Sequence, residues 1–293
     1  MRSFGTNATH TGGSAIKAPR TAVLARPARD RRAPAIEVRH LAFTYPGDPP
    51  RPALDDVSLE VASGELVAVI GANGTGKSTL LKLVGGLLEA RSGEVAVLGR
   101  AVREPDARVG FVFQEPRLLP WRTTLENVAF PLELAGRPRP ERDGRARDLL
   151  ALVGAADVGG LRPHQLSGGT RQRAAIARAL ALDPGILLLD EPFSALDALT
   201  RERFNVVLQS IWRSTQTTIL LVTHSIPEAI FLADRVLVLA GRPGRVVTEV
   251  PIRLPRPRTL ADQDATMVSE AASRIRAALG APPDPARPAG EVM

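Results

Sequence analysis

The feature that most constrains the fold is a glycine-rich loop that follows an apolar segment and precedes a helical pattern. Leu66–Ile70 are five consecutive apolar residues, and residues 71–79 continue as Gly-Ala-Asn-Gly-Thr-Gly-Lys-Ser-Thr. The pattern G-x-x-x-x-G-K-[ST] between a strand and a helix is typical of a phosphate-binding loop. Its glycines let the backbone turn tightly, so that N–H groups point inward at phosphate oxygens. We therefore predict a strand over 66–70, an anion-binding loop, and a helix over 77–88.

The last residues of this loop indicate a nucleotide with Mg²⁺ as the ligand. Lys77 can reach the β- and γ-phosphates, Ser78 can ligate the metal ion, and Thr79 can bond the α-phosphate. The chain has only three lysines among its 38 basic residues, so a lysine at position 77 is informative. The planar fork of an arginine would not replace the compact charge of a lysine at such a site.

A second apolar segment ends in two adjacent acids. Ile186–Leu189 precede Asp190 and Glu191, and a run of this kind predicts a strand buried on both faces. Buried charge is costly unless it is paired or bound to a metal, so the acids should lie where the strand ends and a cleft opens. There they suit a metal ligand and a base that activates water. Taken alone, the pair could also be an ordinary solvated strand end.

The composition limits the classes of protein to which the chain can belong. The chain of 293 residues has room for one large α/β domain or two small ones. It has no cysteine, which excludes disulfides and thiolate metal sites. No apolar run approaches the ~20 residues that span a bilayer, so we expect any membrane role to come through a partner.

The net charge of +7 is concentrated at the N-terminal end. Residues 1–34 hold seven basic residues and one acid, residues 251–293 hold six arginines and five acids, and the body between them is neutral. A neutral body with a basic arm rich in Pro, Ala, Gly and Thr predicts a folded domain with a disordered extension over 1–34. Docking of that arm on anionic lipid or nucleic acid is the alternative.

The pattern of the remaining chain predicts a mixed fold. Segments 36–45 and 54–61 alternate, which indicates an antiparallel layer before an α/β core. Residues 115–165 are a proline-punctuated helical insertion, with helices at about 125–135 and 141–153. Ser167 should cap a helix that runs through Ala181, with the N–H groups of Gly168 and Gly169 open to an anion. Further predicted elements are strands 94–98, 109–113, 217–222, 234–239 and 245–250, a helix over 198–213, and an amphipathic helix over 260–279 packed on the body.

With these pieces in order, residues 35–250 resemble the ATP-binding subunit of an ABC transporter. Residues 71–79 resemble the Walker A motif, Leu187–Glu191 the Walker B motif with its glutamate, and Leu166–Gln172 the LSGGQ signature. Similar correspondences hold for Gln114 with the Q-loop, Ser194–Asp197 with the D-loop, His224 with the switch histidine, and Tyr45 with the aromatic that stacks on adenine. Thr170 departs from the usual Gln or Met of the signature, at a position that is not a phosphate ligand in the family.

The resemblance implies an α/β fold: a P-loop NTPase ABC cassette with a RecA-like core, an antiparallel β-subdomain and a helical subdomain. It places the cassette at 35–250, the helical subdomain at 115–165, and a C-terminal helix with a loose tail at 251–293. The implied catalytic residues are Glu191, His224 and Gln114. The implied metal ligands are Ser78, Gln114 and Asp190. The implied nucleotide-binding residues are Tyr45, Gly71, Asn73, Gly74, Thr75, Gly76, Lys77, Ser78, Thr79, Ser167, Gly168 and Gly169.

In the family, the signature residues serve the ATP of a second subunit, so the resemblance implies a head-to-tail dimer of two copies over two ATPs. Two segments, Leu118–Trp121 and Gly241–Arg245, are similar to those of the ABC importers for nitrate, sulfonates, taurine or bicarbonate. Trp121 could contact the membrane partner or anchor the helical subdomain.

The expected role is therefore the ATP-hydrolysing subunit of such an importer, peripheral on the cytoplasmic face of the inner membrane. Its partners would be a multi-span permease and, indirectly, a periplasmic or extracellular solute-binding protein, with no nucleic acid. The alternatives are an ABC ATPase of lipoprotein release or cell division, and a soluble ABC ATPase of DNA repair or translation. The last usually carries coiled-coil insertions, zinc-binding cysteines or tandem cassettes, which this sequence lacks.

Overall fold

The structure is a computed structural model that describes residues 34–194, 196–259 and 265–280. Four of the sequence predictions lie wholly or partly outside these residues. They are the basic extension over 1–34 except for its last residue, Ala195 of the segment 194–197, residues 260–264 of the predicted helix 260–279, and the C-terminal tail from residue 281.

A six-stranded sheet forms the centre of the molecule, in the order β10-β9-β3-β8-β7-β6. Its strands are β3 (Leu66–Ile70), β6 (Val109–Val112), β7 (Ile186–Asp190), β8 (Thr218–Thr223), β9 (Arg235–Ala240) and β10 (Arg245–Pro251). All neighbouring pairs are parallel except β9 with β10. Parallel β3 and β7 are neighbours of β8, so their carboxyl ends lie at one edge of the sheet, where a ligand site is expected.

A four-stranded antiparallel sheet, in the order β2-β1-β4-β5, covers one face of the central sheet. Its strands are β1 (Pro34–Tyr45), β2 (Arg51–Ala62), β4 (Ser92–Val97) and β5 (Arg100–Ala101). The antiparallel layer predicted from 36–45 and 54–61 is confirmed as the β1–β2 pair.

Seven α-helices and two short 3-10 helices complete the described part of the chain; the α-helices are labelled in chain order. The α-helices are α1 (Lys77–Val84), α2 (Thr124–Leu134), α3 (Arg139–Leu152), α4 (Gly168–Ala179), α5 (Ala198–Thr215), α6 (Ile226–Leu232) and α7 (Ala265–Gly280), and the 3-10 helices are Ala156–Val158 and Pro163–Gln165. The prediction that α1 extends to residue 88 is wrong. Gly85 caps the helix at its C-terminus. Gly86 has φ +70°, and a Cβ at this position would lie 2.4 Å from the Glu104 carbonyl oxygen. That turn ends the helix one turn early.

Alternate residues of the central strands pack into two separate cores. Leu66, Ala68 and Ile70 face the core that holds α2 to α7, whereas Val67 and Val69 face the core shared with α1 and the antiparallel sheet. This division follows from the period of two along a strand, and it explains why the strand sequences are continuously apolar. None of the described helices is both long and apolar enough to cross a lipid bilayer.

The segment after β10 packs on the body as well. Ile252 and Leu254 are buried in the core, and α7 contributes Ala271, Ala272 and Ile275 to the same core. Buried Arg258 donates from Nη1 to the carbonyl oxygens of Ile230, Phe231 and Ala233 at 2.7–3.0 Å. Since these carbonyls end α6, the C-terminal segment caps the helix that follows His224.

Candidate functional site

The glycines of the phosphate-binding loop are required by close backbone contacts. Gly74 and Gly76 have φ +86° and +87°, a conformation that favours glycine. A Cβ at Gly71 would lie 2.3 Å from the Leu239 carbonyl oxygen, and one at Gly76 would lie 2.5 Å from the Ala53 carbonyl oxygen. The loop is therefore held between β9 and the antiparallel sheet, ahead of the N-terminus of α1.

Lys77 is buried against this loop with 5% of its surface exposed. Its Nζ donates to the carbonyl oxygens of Gly71 at 2.9 Å and Ala72 at 3.1 Å, and it lies 3.9 Å from Glu191 Oε1. Burial lowers the pKa of Lys77, and the charges of Glu191 and Asp190 oppose that shift. A bound phosphate would add anionic partners for this ammonium, which favours its charged form.

Asp190 and Ser78 form the part of the site suited to a metal ion. Asp190 is the last residue of β7 and is 5% exposed, and its Oδ1 accepts a 2.8 Å hydrogen bond from Ser78 Oγ. Burial raises the pKa of Asp190, the Ser78 hydrogen bond lowers it, and the neighbouring Glu191 raises it further. A divalent cation would offset the cost of the buried charge.

The donor set fits Mg²⁺. The described residues hold no group of three His, Cys, Asp or Glu side chains that could enclose a metal. Mg²⁺ is usually bound by one or two carboxylates together with waters and substrate phosphates, so one aspartate and a hydroxyl are sufficient.

Glu191 follows the strand in an unusual backbone conformation. Its φ is +42°, in the left-handed region that non-glycine residues rarely adopt, and its N–H donates to the Val222 carbonyl oxygen at 2.9 Å. Its Oε2 lies 3.2 Å from Nδ1 of His224, which follows β8. Strain of this kind is often found at functional sites. The adjacent acids thus have different partners, Ser78 for Asp190 and His224 for Glu191.

Most of the predicted residues line one cleft of about 890 Å³. Those that line it are Tyr45, Asn73, Gly74, Gly76, Lys77, Ser78, Thr79, Gln114 and Glu191. Tyr45 comes from the antiparallel sheet, and its hydroxyl lies 3.1 Å from Thr79 Oγ1, with either oxygen able to donate. Phe43 packs edge-to-face on the Tyr45 ring, with centroids 4.9 Å apart. The cleft therefore joins an aromatic ring at one side to the phosphate loop and Glu191.

The signature residues lie elsewhere. Ser167, Gly168 and Gly169 are not among the residues that line the cleft. Ser167 caps α4, as predicted, because its Oγ accepts from the Thr170 N–H at 3.2 Å. A Cβ at Gly168 would meet nothing within 4 Å among the described atoms, so this helix start is open. The single chain does not bring these residues to its own phosphate loop.

Sequence reasoning missed Glu228, which lies beside the Glu191–His224 pair. Glu228 and Arg201 line a crevice together with Glu191 and His224. Glu228 is 4% exposed, and its Oε1 has no hydrogen-bond partner in the described part of the chain. The signal was present, since Ser225 caps α6 and Glu228 is the third residue of that helix, which is a common capping pattern.

Glu228→Gln should flatten the pH dependence of stability. Burial raises the pKa of Glu228 from 4.5 to about 7. The hydrogen bond from Thr223 and the charge of Arg201 lower this pKa, and the charge of Glu191 raises it. Between these values the folded state holds the proton more tightly than the unfolded state, so stability falls as pH rises through 7. At about pH 8 the free energy of unfolding of the variant should exceed that of the wild type by about 2–3 kcal/mol, and at about pH 4 the two should be equal.

Urea unfolding of both proteins across this pH range measures the difference. Glu270→Gln, on the exposed face of α7, is the matched control. A constant difference between the Glu228→Gln and wild-type curves at every pH would contradict the expectation.

Comparison with known proteins decides the family. The family model for ABC transporters matches residues 54–194. The taurine import ATP-binding protein TauB of Rhizobium johnstonii is 51% identical over 195 residues, which cover 67% of this chain and 74% of that protein. The chain belongs to the ABC transporter family of ATP-binding proteins.

Other relatives agree with this assignment. An uncharacterised ABC transporter ATP-binding protein of Methanocaldococcus jannaschii is 46% identical over 232 residues, or 78% of this chain and 86% of that protein. The dimeric ATP-binding cassette MJ0796 bound to ADP and Pi superposes with a TM-score of 0.68 at 34% identity, covering 74% of this chain and 99% of the other. The expected fold, a P-loop ABC cassette with an antiparallel layer and helices, is confirmed.

Proposed function

We propose that this ABC cassette hydrolyses ATP to energise an importer for taurine or a related organosulfonate. The observation that carries the proposal is the cleft in which Tyr45, the phosphate loop and Glu191 meet, with Asp190 bonded to Ser78 of that loop. Relatives named as taurine import ATP-binding proteins, at 44–51% identity, support the solute class. The chain would act through its cassette, residues 35–250, while the solute is chosen by other subunits.

Each residue of the cleft has a physical role in phosphoryl transfer to water, which depends on positioning and charge neutralisation. The Tyr45 ring offers a face for the adenine, and the N–H groups of residues 71–79 and Lys77 stabilise charge on the phosphates. Ser78, Gln114 and Asp190 would hold Mg²⁺, which would neutralise charge that develops on the β- and γ-phosphates. Glu191 would polarise the attacking water, and His224, 3.2 Å from it, would hold that carboxylate in place.

The open signature suggests that a second copy completes the site. Ser167 and Gly169 N–H groups at the start of α4 suit a phosphate, yet they lie outside the cleft of their own chain. A head-to-tail dimer would place them over the ATP of the partner subunit. The solved cassette MJ0796 is described as dimeric, which supports this arrangement.

The surface near Trp121 suits a membrane partner. Trp121 is 68% exposed and Leu134 is 73% exposed, so neither anchors the helical insertion. Exposed apolar side chains mark an interaction site where they lie together. The ion pair of Arg122 with Glu133 brings their sequence neighbours Trp121 and Leu134 near each other. We propose that this surface binds a multi-span permease on the cytoplasmic face of the inner membrane, with a solute-binding protein acting from the other side.

Uptake in the source cells tests the proposal. Replacing the native copy by Glu191→Gln should abolish uptake of radiolabelled taurine or an alkylsulfonate and leave phosphate uptake unchanged. Unchanged uptake of both organosulfonates, with the variant present at wild-type level, would reject the solute class. Nitrate and bicarbonate uptake, measured in the same cells, would then identify the other solutes of this importer group.

A further inference from the structure

The turn of residues 241–245, between β9 and β10, packs against the phosphate loop. Gly244 is buried, and a Cβ there would lie 1.9 Å from the Thr75 carbonyl oxygen, so only glycine allows this approach. The Gly244 N–H donates to the Ala53 carbonyl oxygen at 3.0 Å, and the Gly244 carbonyl accepts from the Asp55 N–H at 3.0 Å. Arg245 forms an ion pair with the Asp55 carboxylate. The turn is therefore fixed to both the loop and β2.

This placement sets the Arg242 guanidinium over the phosphate loop. Its Nη2 donates to the Asn73 carbonyl oxygen at 2.6 Å. Its Nε, Nη2 and Cζ atoms would lie 3.2–3.3 Å from a Cβ at Gly74, so the guanidinium packs against this left-handed glycine of the loop. Arg242 also lines the nucleotide cleft together with Lys77 and Glu191.

No carboxylate in the described part of the chain neutralises the charge of Arg242. Among the described residues it forms no ion pair with a carboxylate, and neither does Arg51, the other arginine of the cleft. Neighbouring arginines differ, since Arg245 pairs with Asp55 and Arg235 pairs with Glu65. An unpaired cation at the rim of an anion site makes the local electrostatic potential more positive, which attracts phosphate. The planar guanidinium keeps further N–H donors for phosphate oxygens after it has bonded Asn73.

We propose that Arg242 is a further nucleotide-binding residue, whose guanidinium bonds a phosphate oxygen of bound ATP while the 241–245 turn and Asn73 hold it over the loop. The proposal rests on the proposed binding of ATP in this cleft. It gives a physical role to the Gly-Arg-Pro-Gly-Arg segment, whose sequence suggested only a likeness to one importer group. Lys77 serves the phosphates from inside the loop, and Arg242 serves them from its outer rim.

Arg242→Gln and Arg242→Lys test this assignment in the full-length chain. ATP affinity is measured by titration calorimetry with Mg²⁺ at low and high salt. The Gln variant should bind ATP about three- to tenfold more weakly, with a smaller salt dependence, because one charge-assisted contact is lost. The Lys variant should retain part of the affinity and the wild-type salt dependence. Arg276→Gln, an exposed residue of α7, removes the same charge elsewhere and should bind as the wild type does.

Three results would overturn the assignment. One is wild-type affinity in the Gln variant. Another is an equal loss of ATP affinity in the Gln and Lys variants with unchanged salt dependence. In that case Arg242 would only hold the loop in place through its hydrogen bond to Asn73. The third is failure of the Gln variant to fold in a thermal melt, since an exposed residue with one hydrogen bond should not be essential for stability. Failure of the wild-type chain itself to bind ATP would instead reject the proposed function.

Discussion

Glu191→Gln is expected to bind ATP as the wild type does and to hydrolyse it about 10²–10⁴-fold more slowly, the range for loss of a general base. Glutamine keeps the shape of the side chain, so the Lys77 and Ser78 contacts to phosphate and metal ion should survive. It cannot accept a proton from water, and the charge 3.9 Å from Lys77 Nζ disappears. Steady-state phosphate release and calorimetric ATP binding measure the two effects separately.

Slow hydrolysis should also leave a lasting ATP-bound dimer. Size-exclusion chromatography with ATP should show the Glu191→Gln chain at twice the mass of the monomer, and ADP should not have this effect. Glu270→Gln, which removes an exposed carboxylate on α7, is the control and should turn over normally. Near-normal turnover in Glu191→Gln would reject Glu191 as the base and would move that role to another residue of the cleft.

Gly168→Asp is expected to abolish hydrolysis while leaving ATP binding by the single chain intact. The Cβ at this position meets no described atom within 4 Å, so the fold should tolerate the larger side chain. A carboxylate near a helix N-terminus even stabilises the helix. In a head-to-tail dimer, however, the same charge would face the phosphates of the partner's ATP and repel them.

The neutral variant Gly168→Ala separates charge from size. When it is combined with Glu191→Gln, Gly168→Ala should still form the ATP-dependent dimer, whereas Gly168→Asp in the same combination should remain monomeric with ATP. ATP-dependent dimers of Gly168→Asp would contradict the placement of the signature over a partner's nucleotide.

The parts of the site that lie in one short stretch were predictable from the sequence. Residues 71–79 carry their own turn chemistry, and the apolar run before Asp190 predicts a buried strand with acids at its end. The alternating segments of β1 and β2 likewise predict a half-buried antiparallel pair. In each case the information is local, because side-chain period and glycine conformation act over a few residues.

Contacts between distant segments were not predictable from the sequence. Arg242 and Asn73 are 169 positions apart, and no periodicity indicates that the 241–245 turn meets the phosphate loop. The cap that Arg258 places on α6 depends in the same way on how α6 and the last segment pack. The early end of α1 differs, since Gly85 and Gly86 are adjacent helix-stop residues and could have been recognised.

A mixing experiment tests most directly whether the ATP site is shared between two copies. Lys77→Ala disables the phosphate loop and Gly168→Asp disables the signature, so each variant alone should be inactive. A mixed dimer would hold one intact site, made of the phosphate loop of one chain and the signature of the other. An equal mixture should therefore recover up to about a quarter of the wild-type ATPase rate, since half of randomly assorted dimers hold one intact site. A mixture as inactive as its components would contradict the shared site.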